Sequence, residues 1–68
     1  MALGPYSRIA IRRPSGKVEM IGRAGIHDPD RIARQLRQAG AGEVISVRHE
    51  RVAPTGKRET MAVHRVGR

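Results

Sequence analysis

The tetrapeptide Pro14-Ser15-Gly16-Lys17 lies between two short aliphatic runs, and Pro54-Thr55-Gly56-Lys57 repeats it near the other end of the chain. In each one, proline presets a negative φ, serine or threonine continues the turn, and glycine supplies the positive φ that closes it. Each tetrapeptide therefore predicts the tip of a β-hairpin. With a helix between the two hairpins, the predicted element order is ββαββ.

The aliphatic residues beside the first tip predict how its strands pair. Apolar residues alternate with small or polar ones in residues 9–12 and 17–20. A register that sets Ile11 opposite Val18 and Ile9 opposite Met20 puts all four on one face. The other face of this hairpin is then predicted to carry Arg8, Ala10, Arg12, Lys17 and Glu19.

The segment Asp28-Pro29-Asp30 predicts the start of the helix. Asp28 is suited to cap the helix, proline is favoured at the first helical position, and a second aspartate suits the positive end of the helix dipole. Gly40 predicts the end. The residues between them that share one apolar face are Ile32, Ala33, Leu36 and Ala39.

Residues 43–51 and 59–65 predict the strands of the second hairpin. Setting Val47 opposite Val63 also pairs Arg51 with Glu59, a favourable cross-strand ion pair. This register puts one apolar set on the core face: Ile45, Val47, His49, Met61 and Val63. The other face is predicted to carry Ser46, Arg48, Glu50, Arg58, Thr60, Ala62 and His64.

The predicted fold class is α+β, with one helix packed on one face of a four-stranded antiparallel sheet in the order 2-1-3-4. This order makes all neighbouring strands antiparallel and allows a right-handed crossover through the helix. Since one helix covers one face only, the other side of the sheet is left open.

Length and composition indicate one small basic domain, residues 1–68. The chain has no cysteine, phenylalanine or tryptophan and one tyrosine, so the core must be aliphatic and no disulfide can reinforce it. We expect limited stability that a homodimer could increase, through edge strands or the segment 3–6. No segment resembles a signal peptide or membrane span, and a cytoplasmic location is expected.

The charge points to an anionic partner. Lysine and arginine number 14 against 6 acidic residues, which gives a net charge of +8, and such an excess in a small domain is typical of nucleic-acid binders. We expect contacts to nucleic-acid phosphates through the open sheet face and the hairpin tips. The predicted site residues are Arg8, Arg12, Arg13, Lys17, Arg48, Arg51, Lys57, Arg58 and His64.

Other functions receive less support from the sequence. The two Gly-Lys tips lack the remaining glycine and the following helix of a phosphate-binding loop, the histidines have no zinc spacing, and no catalytic group of residues emerges. We predict a non-enzyme without metal or cofactor. One alternative is a small protein-protein inhibitor or adaptor, of the kind that phages and mobile elements encode, docking on an acidic surface of a nucleic-acid-handling complex. Another is a structural homo-oligomer whose charge is incidental.

Overall fold

The computed structural model describes residues 3–67 and confirms the predicted architecture. The four strands form one antiparallel sheet in the order β2-β1-β3-β4, and the helix packs on one face of it. The elements are β1 (Leu3–Arg12), β2 (Val18–Ala24), α1 (Pro29–Gln38), β3 (Glu43–Val52) and β4 (Arg58–Arg65).

Both ends of α1 follow from local sequence. The Asp28 carboxylate accepts the backbone N–H groups of Asp30 at 2.9 Å and Arg31 at 3.0 Å, as an N-cap does. The bond from the Arg31 N–H is the main reason that the pKa of Asp28 lies below its usual value. At the other end Gly40 has a φ of +74°, and the N–H groups of Gly40 and Ala41 bond back into the last turn.

The two hairpin tips have the same geometry. In the first, the Gly16 N–H donates to the Arg13 carbonyl at 2.8 Å and the Arg13 N–H donates to the Lys17 carbonyl at 2.7 Å. In the second, the Gly56 N–H donates to the Ala53 carbonyl and the Ala53 N–H donates to the Lys57 carbonyl, each at 2.8 Å. Both loops are type I turns followed by a glycine with positive φ, which form a bulge before the return strand.

The register predicted for the first hairpin is wrong by one residue. Because the turn pairs Arg13 with Lys17, Arg12 lies opposite Val18 and Ile11 lies opposite Glu19. Val18 and Met20 therefore project from the open side of the sheet, 53% and 46% exposed. Glu19, predicted on the open side, lies on the helix side.

The second hairpin matches the prediction only near its tip. Arg51 lies opposite Glu59, as predicted, with Nε 2.8 Å from Oε1. A bulge at Met61 then shifts the register, so that Val47 lies opposite His64 and not Val63. Beyond the bulge the predicted faces are reversed: Val63 lies on the open side, and Ala62 and His64 lie on the helix side.

The core lies between α1 and the two central strands, and all of its buried apolar residues are aliphatic. Ile32 and Leu36 supply the helix face, in agreement with the predicted stripe. The remaining buried residues come from β1 and β3: Ile9, Ile11, Val44 and Val47. The opposite side of the sheet has no covering element among the described residues, and it is called the open face below.

Candidate functional site

Residues of all four strands form the open face. The pairing of the strands fixes its membership, because directly opposed residues project to the same side. From the β2 edge to the β4 edge, the side chains on this face are Val18, Met20 and Ala24; Tyr6, Arg8, Ala10 and Arg12; Glu43, Ser46, Arg48, Glu50 and Val52; and Arg58, Thr60, Val63 and Arg65.

Two arginines lie directly opposite each other at the centre of the open face. Arg8 of β1 pairs with Arg48 of β3, and like charges at such positions destabilise a sheet. Arg8 is compensated by Glu50, whose Oε1 lies 3.5 Å from its Nη1. For Arg48, no carboxylate lies within 4.0 Å among the described residues.

Glu50 is buried on this otherwise exposed surface. It is 2% exposed, and it accepts hydrogen bonds from the Tyr6 and Thr60 hydroxyls, each at 3.1 Å. Burial raises the pKa of Glu50, but these hydrogen bonds and Arg8 outweigh burial and hold the pKa below its usual value. The buried carboxylate is therefore charged at neutral pH and fixes Arg8, Tyr6 and Thr60 in place.

Tyr6 is the only aromatic residue of the chain. Partial burial, followed by its hydrogen bond to Glu50, raises the pKa of its hydroxyl above the usual value. Because that hydroxyl is bonded to a buried carboxylate, the ring is held at one position on the open face. A single fixed ring does not provide the successive stacking platforms on which single-strand binders place their bases.

The ion pairs divide the predicted site residues into two groups. Arg13 and Lys17 both contact Glu19, at 2.9 and 3.4 Å, and Arg51 contacts Glu59 at 2.8 Å. These three cations lie on the helix side, and the first two hold the pKa of Glu19 below its usual value. Cations without a carboxylate within 4.0 Å in residues 3–67 include Arg12, Arg48, Lys57, Arg58 and Arg65.

The structure brings together only part of the predicted site. Arg8, Arg12, Arg48 and Arg58 share the open face. Lys57 lies opposite Ala53 at the second tip, on the helix side, as Lys17 does at the first. The two tips lie at opposite ends of the sheet, because Arg12 pairs with the start of β3 and Leu3 with its end. The molecule measures 37 × 21 × 20 Å, so only an elongated ligand could contact both tips at once.

His64 does not belong to the open face. Its ring lies 4.8 Å from that of His49 on the helix side, and His49 Nε2 is hydrogen-bonded to the His27 carbonyl at 2.9 Å. Among the described residues, no three His, Cys, Asp or Glu side chains are arranged to hold a metal ion. The bulge at Met61 accounts for the misplacement, since it reverses the faces of the residues that follow it.

Sequence reasoning missed four residues of the open face. Arg65 was not predicted to be part of the site, and Val18, Met20 and Val63 were assigned to the core. The turn geometry would have revealed Val18 and Met20, because pairing Arg13 with Lys17 fixes their side of the sheet. Nothing in the sequence marks the bulge that turns Val63 and Arg65 toward the open face.

No family model matches the chain, and neither the curated proteins nor the solved structures contain a match. In the part of the chain that the structure describes, no helix is long and apolar enough to cross a membrane.

Proposed function

We propose that this protein is a non-catalytic binding module whose open face contacts the phosphates of a nucleic acid. The observation that carries the proposal is a group of open-face arginines with no carboxylate within 4.0 Å in residues 3–67: Arg12, Arg48, Arg58 and Arg65. Guanidinium groups suit phosphate through paired N–H donors and remain charged at all physiological pH values. We place this activity in the cytoplasm.

The cross-strand pair at the centre of the face supports the same proposal. Opposing Arg8 and Arg48 across two central strands costs stability that a polar or aliphatic pair would not cost. Glu50 compensates one of the two charges and leaves Arg48 for an external anion. A feature that opposes folding at an exposed position is expected where function requires it.

The chemistry of the face also indicates how a nucleic acid would be contacted. With one fixed ring, stacking on bases contributes little, and the contacts are made by arginines to the backbone. We therefore expect weak sequence preference and strong salt dependence. Four phosphate contacts give a slope of about −3.6 in log K against log salt concentration for a duplex, and about −2.8 for a single strand.

The experiment measures binding of labelled duplex DNA, duplex RNA and their single strands by fluorescence anisotropy between about 50 and 200 mM salt. The test variant is Arg12→Ala with Arg48→Ala on the open face. The matched control is Arg31→Ala with Arg34→Ala on the helix, where both residues are exposed and have no ion pair in residues 3–67. Both variants lower the net charge equally.

We expect the open-face variant to reduce the salt slope by about two units, and the helix variant to change it less. An equal loss in both variants would mean that net charge alone attracts the nucleic acid. A larger loss from the helix variant, with both proteins folded by circular dichroism, would place the binding surface on the other layer. Absence of binding at about 50 mM salt would refute the proposal.

A protein partner is the second candidate, and one observation favours it. Val18, Met20 and Val63 are 53%, 46% and 54% exposed on the same face as the arginines. Phosphate binding does not require them, whereas the centres of protein interfaces bury such side chains. If this protein is an inhibitor or adaptor on an acidic protein surface, affinity capture from its host retains the partner after nuclease treatment, and Met20→Ser with Val63→Ser abolishes the capture.

A further inference from the structure

The two edges of the sheet differ in regularity. The edge strand β4 contains the bulge at Met61, and bulges protect edges from pairing with other chains. The other edge strand, β2, pairs with β1 without a register shift over Val18–Ala24 and contains no proline. Among the described residues no element covers the outer side of β2.

The turn determines which backbone groups of β2 face outward. Because Arg13 bonds to Lys17 at the tip, the pairs that exchange hydrogen bonds with β1 fall on Glu19, Ile21 and Arg23. The N–H and C=O groups of the alternate residues then point away from the sheet. These residues are Val18, Met20, Gly22 and Ala24, and they present a regular row of donors and acceptors.

We propose that a second copy of this chain pairs with β2 in the antiparallel direction, with the twofold axis at Ile21. This register opposes Ile21 to its own copy and sets Glu19 opposite Arg23 of the second copy, twice by symmetry. Arg23 has no carboxylate within 4.0 Å in residues 3–67. Opposite charges at directly opposed positions stabilise a strand pair.

The other side of β2 is also self-complementary in this register. Met20 lies opposite Gly22 of the second copy, so the long side chain has space beside a residue without one, and Val18 lies opposite Ala24. An axis at Met20 or Gly22 instead sets Glu19 opposite Ile21 or Gly25 of the second copy, so that Glu19 keeps only its contacts with Arg13 and Lys17 and Arg23 has no carboxylate opposite it. The axis at Ile21 is thus the register in which side-chain size and charge both match.

Dimerisation through β2 would join two four-stranded sheets into one, with both open faces on the same side. The dimer does not depend on the proposed nucleic-acid function, because its contacts are backbone hydrogen bonds, Ile21 and the Glu19–Arg23 pairs. Binding of a nucleic acid and association of the free protein are therefore separate measurements.

A charge exchange tests the pairing in the protein without nucleic acid. Arg23→Glu sets two glutamates against each other, and Glu19→Arg sets two arginines against each other. We expect each variant alone to raise the dimer Kd by at least about tenfold in sedimentation velocity, and an equimolar mixture to recover dimer because both pairs become attractive. The control Arg31→Glu makes the same charge change as Arg23→Glu on the helix and should leave the Kd unchanged.

A single cysteine tests the axis independently of these charges. The chain contains no cysteine, and at the twofold axis two Ile21→Cys residues have Cα atoms about 4.5 Å apart, within disulfide range. We expect mild oxidation to cross-link Ile21→Cys and to leave the β4 control Val63→Cys monomeric. Equal or faster cross-linking of Val63→Cys, or a wild-type monomer at about 500 µM, would overturn the proposal.

Discussion

Replacement of the buried Glu50 should destabilise the fold more than replacement of any exposed glutamate. Glu50→Ala removes two hydrogen bonds to a charged acceptor, and such bonds contribute about 1.5–3 kcal/mol each. Tyr6 is only partly buried and Thr60 is exposed, so both hydroxyls regain water and the loss falls at the lower end of the range, about 3 kcal/mol in total. For a domain of this size that lowers the Tm by roughly 12–24 °C.

The conservative replacement Glu50→Gln isolates the charge. Glutamine keeps the size of the side chain and one acceptor oxygen but no longer compensates Arg8, and we expect a loss of about 1–2 kcal/mol. The matched control is Glu59→Gln. Its ion pair with Arg51 is shorter, 2.8 Å against 3.5 Å, but it is exposed to solvent and should contribute less than about 1 kcal/mol.

The destabilisation by Glu50→Gln should also depend on pH. The folded state lowers the pKa of Glu50, so the charged carboxylate contributes stability above the unfolded-state pKa. That contribution is lost as the pH falls through the lower, folded-state pKa. The difference between the wild type and Glu50→Gln should therefore be constant near neutral pH and shrink in acid.

Urea unfolding followed by circular dichroism at a series of pH values measures these differences directly. The reasoning fails if Glu59→Gln costs as much as Glu50→Gln. It also fails if the Glu50→Gln difference grows on acidification, because that would mean that burial outweighs the hydrogen bonds and keeps the carboxyl neutral.

Two further predictions concern backbone and titration. Gly42→Ala should lower the Tm more than Gly40→Ala does. Both glycines have positive φ, but a Cβ at position 42 would overlap the Arg12 carbonyl, whereas a Cβ at position 40 would have no other atom within 4 Å. The Tyr6 hydroxyl should titrate above its usual pKa of 10.0, and Glu50→Gln should lower that midpoint because it removes the hydrogen-bonded carboxylate. The absorbance of tyrosinate measures both midpoints. An unchanged midpoint in Glu50→Gln would show that burial alone raises the pKa of Tyr6.

The architecture was predictable because local signals specify it. Asp28, Pro29 and Gly40 mark the ends of α1, and two proline-glycine tips mark the hairpins, each by the backbone angles that these residues favour. The strand order then followed from antiparallel pairing and the handedness of the crossover. These arguments use the backbone preferences of single residues and general rules of strand connection, and they do not require knowledge of contacts between residues far apart in the sequence.

Strand register was the part that the sequence left unresolved. The aliphatic pattern favoured Val18 and Met20 in the core, but the three-residue turn imposed Ile21 there instead. In the second hairpin the turn and the Arg51–Glu59 pair agreed, and the bulge at Met61 still reversed the residues beyond it. Each shift exchanges the two faces of a strand, so the prediction that Lys17 and His64 lie on the open face was wrong and Arg65 was omitted.

The placement of the carboxylates explains why four arginines of the open face, Arg12, Arg48, Arg58 and Arg65, have no carboxylate within 4.0 Å in residues 3–67. The chain has 6 acidic residues, and Asp28 and Asp30 lie at the start of α1. The four glutamates each contact a cation: Glu19 and Glu59 near the tips, Glu43 at Arg37 near the end of the helix, and Glu50 at Arg8. Only Glu50 lies at the centre of the open face, and it is buried beneath Arg8. In residues 3–67 the other carboxylate on this side is that of Glu43, which lies opposite Arg12 and contacts Arg37 of the helix. The arginines around Glu50 thus have their charge exposed, and we propose that an external anion completes their interactions.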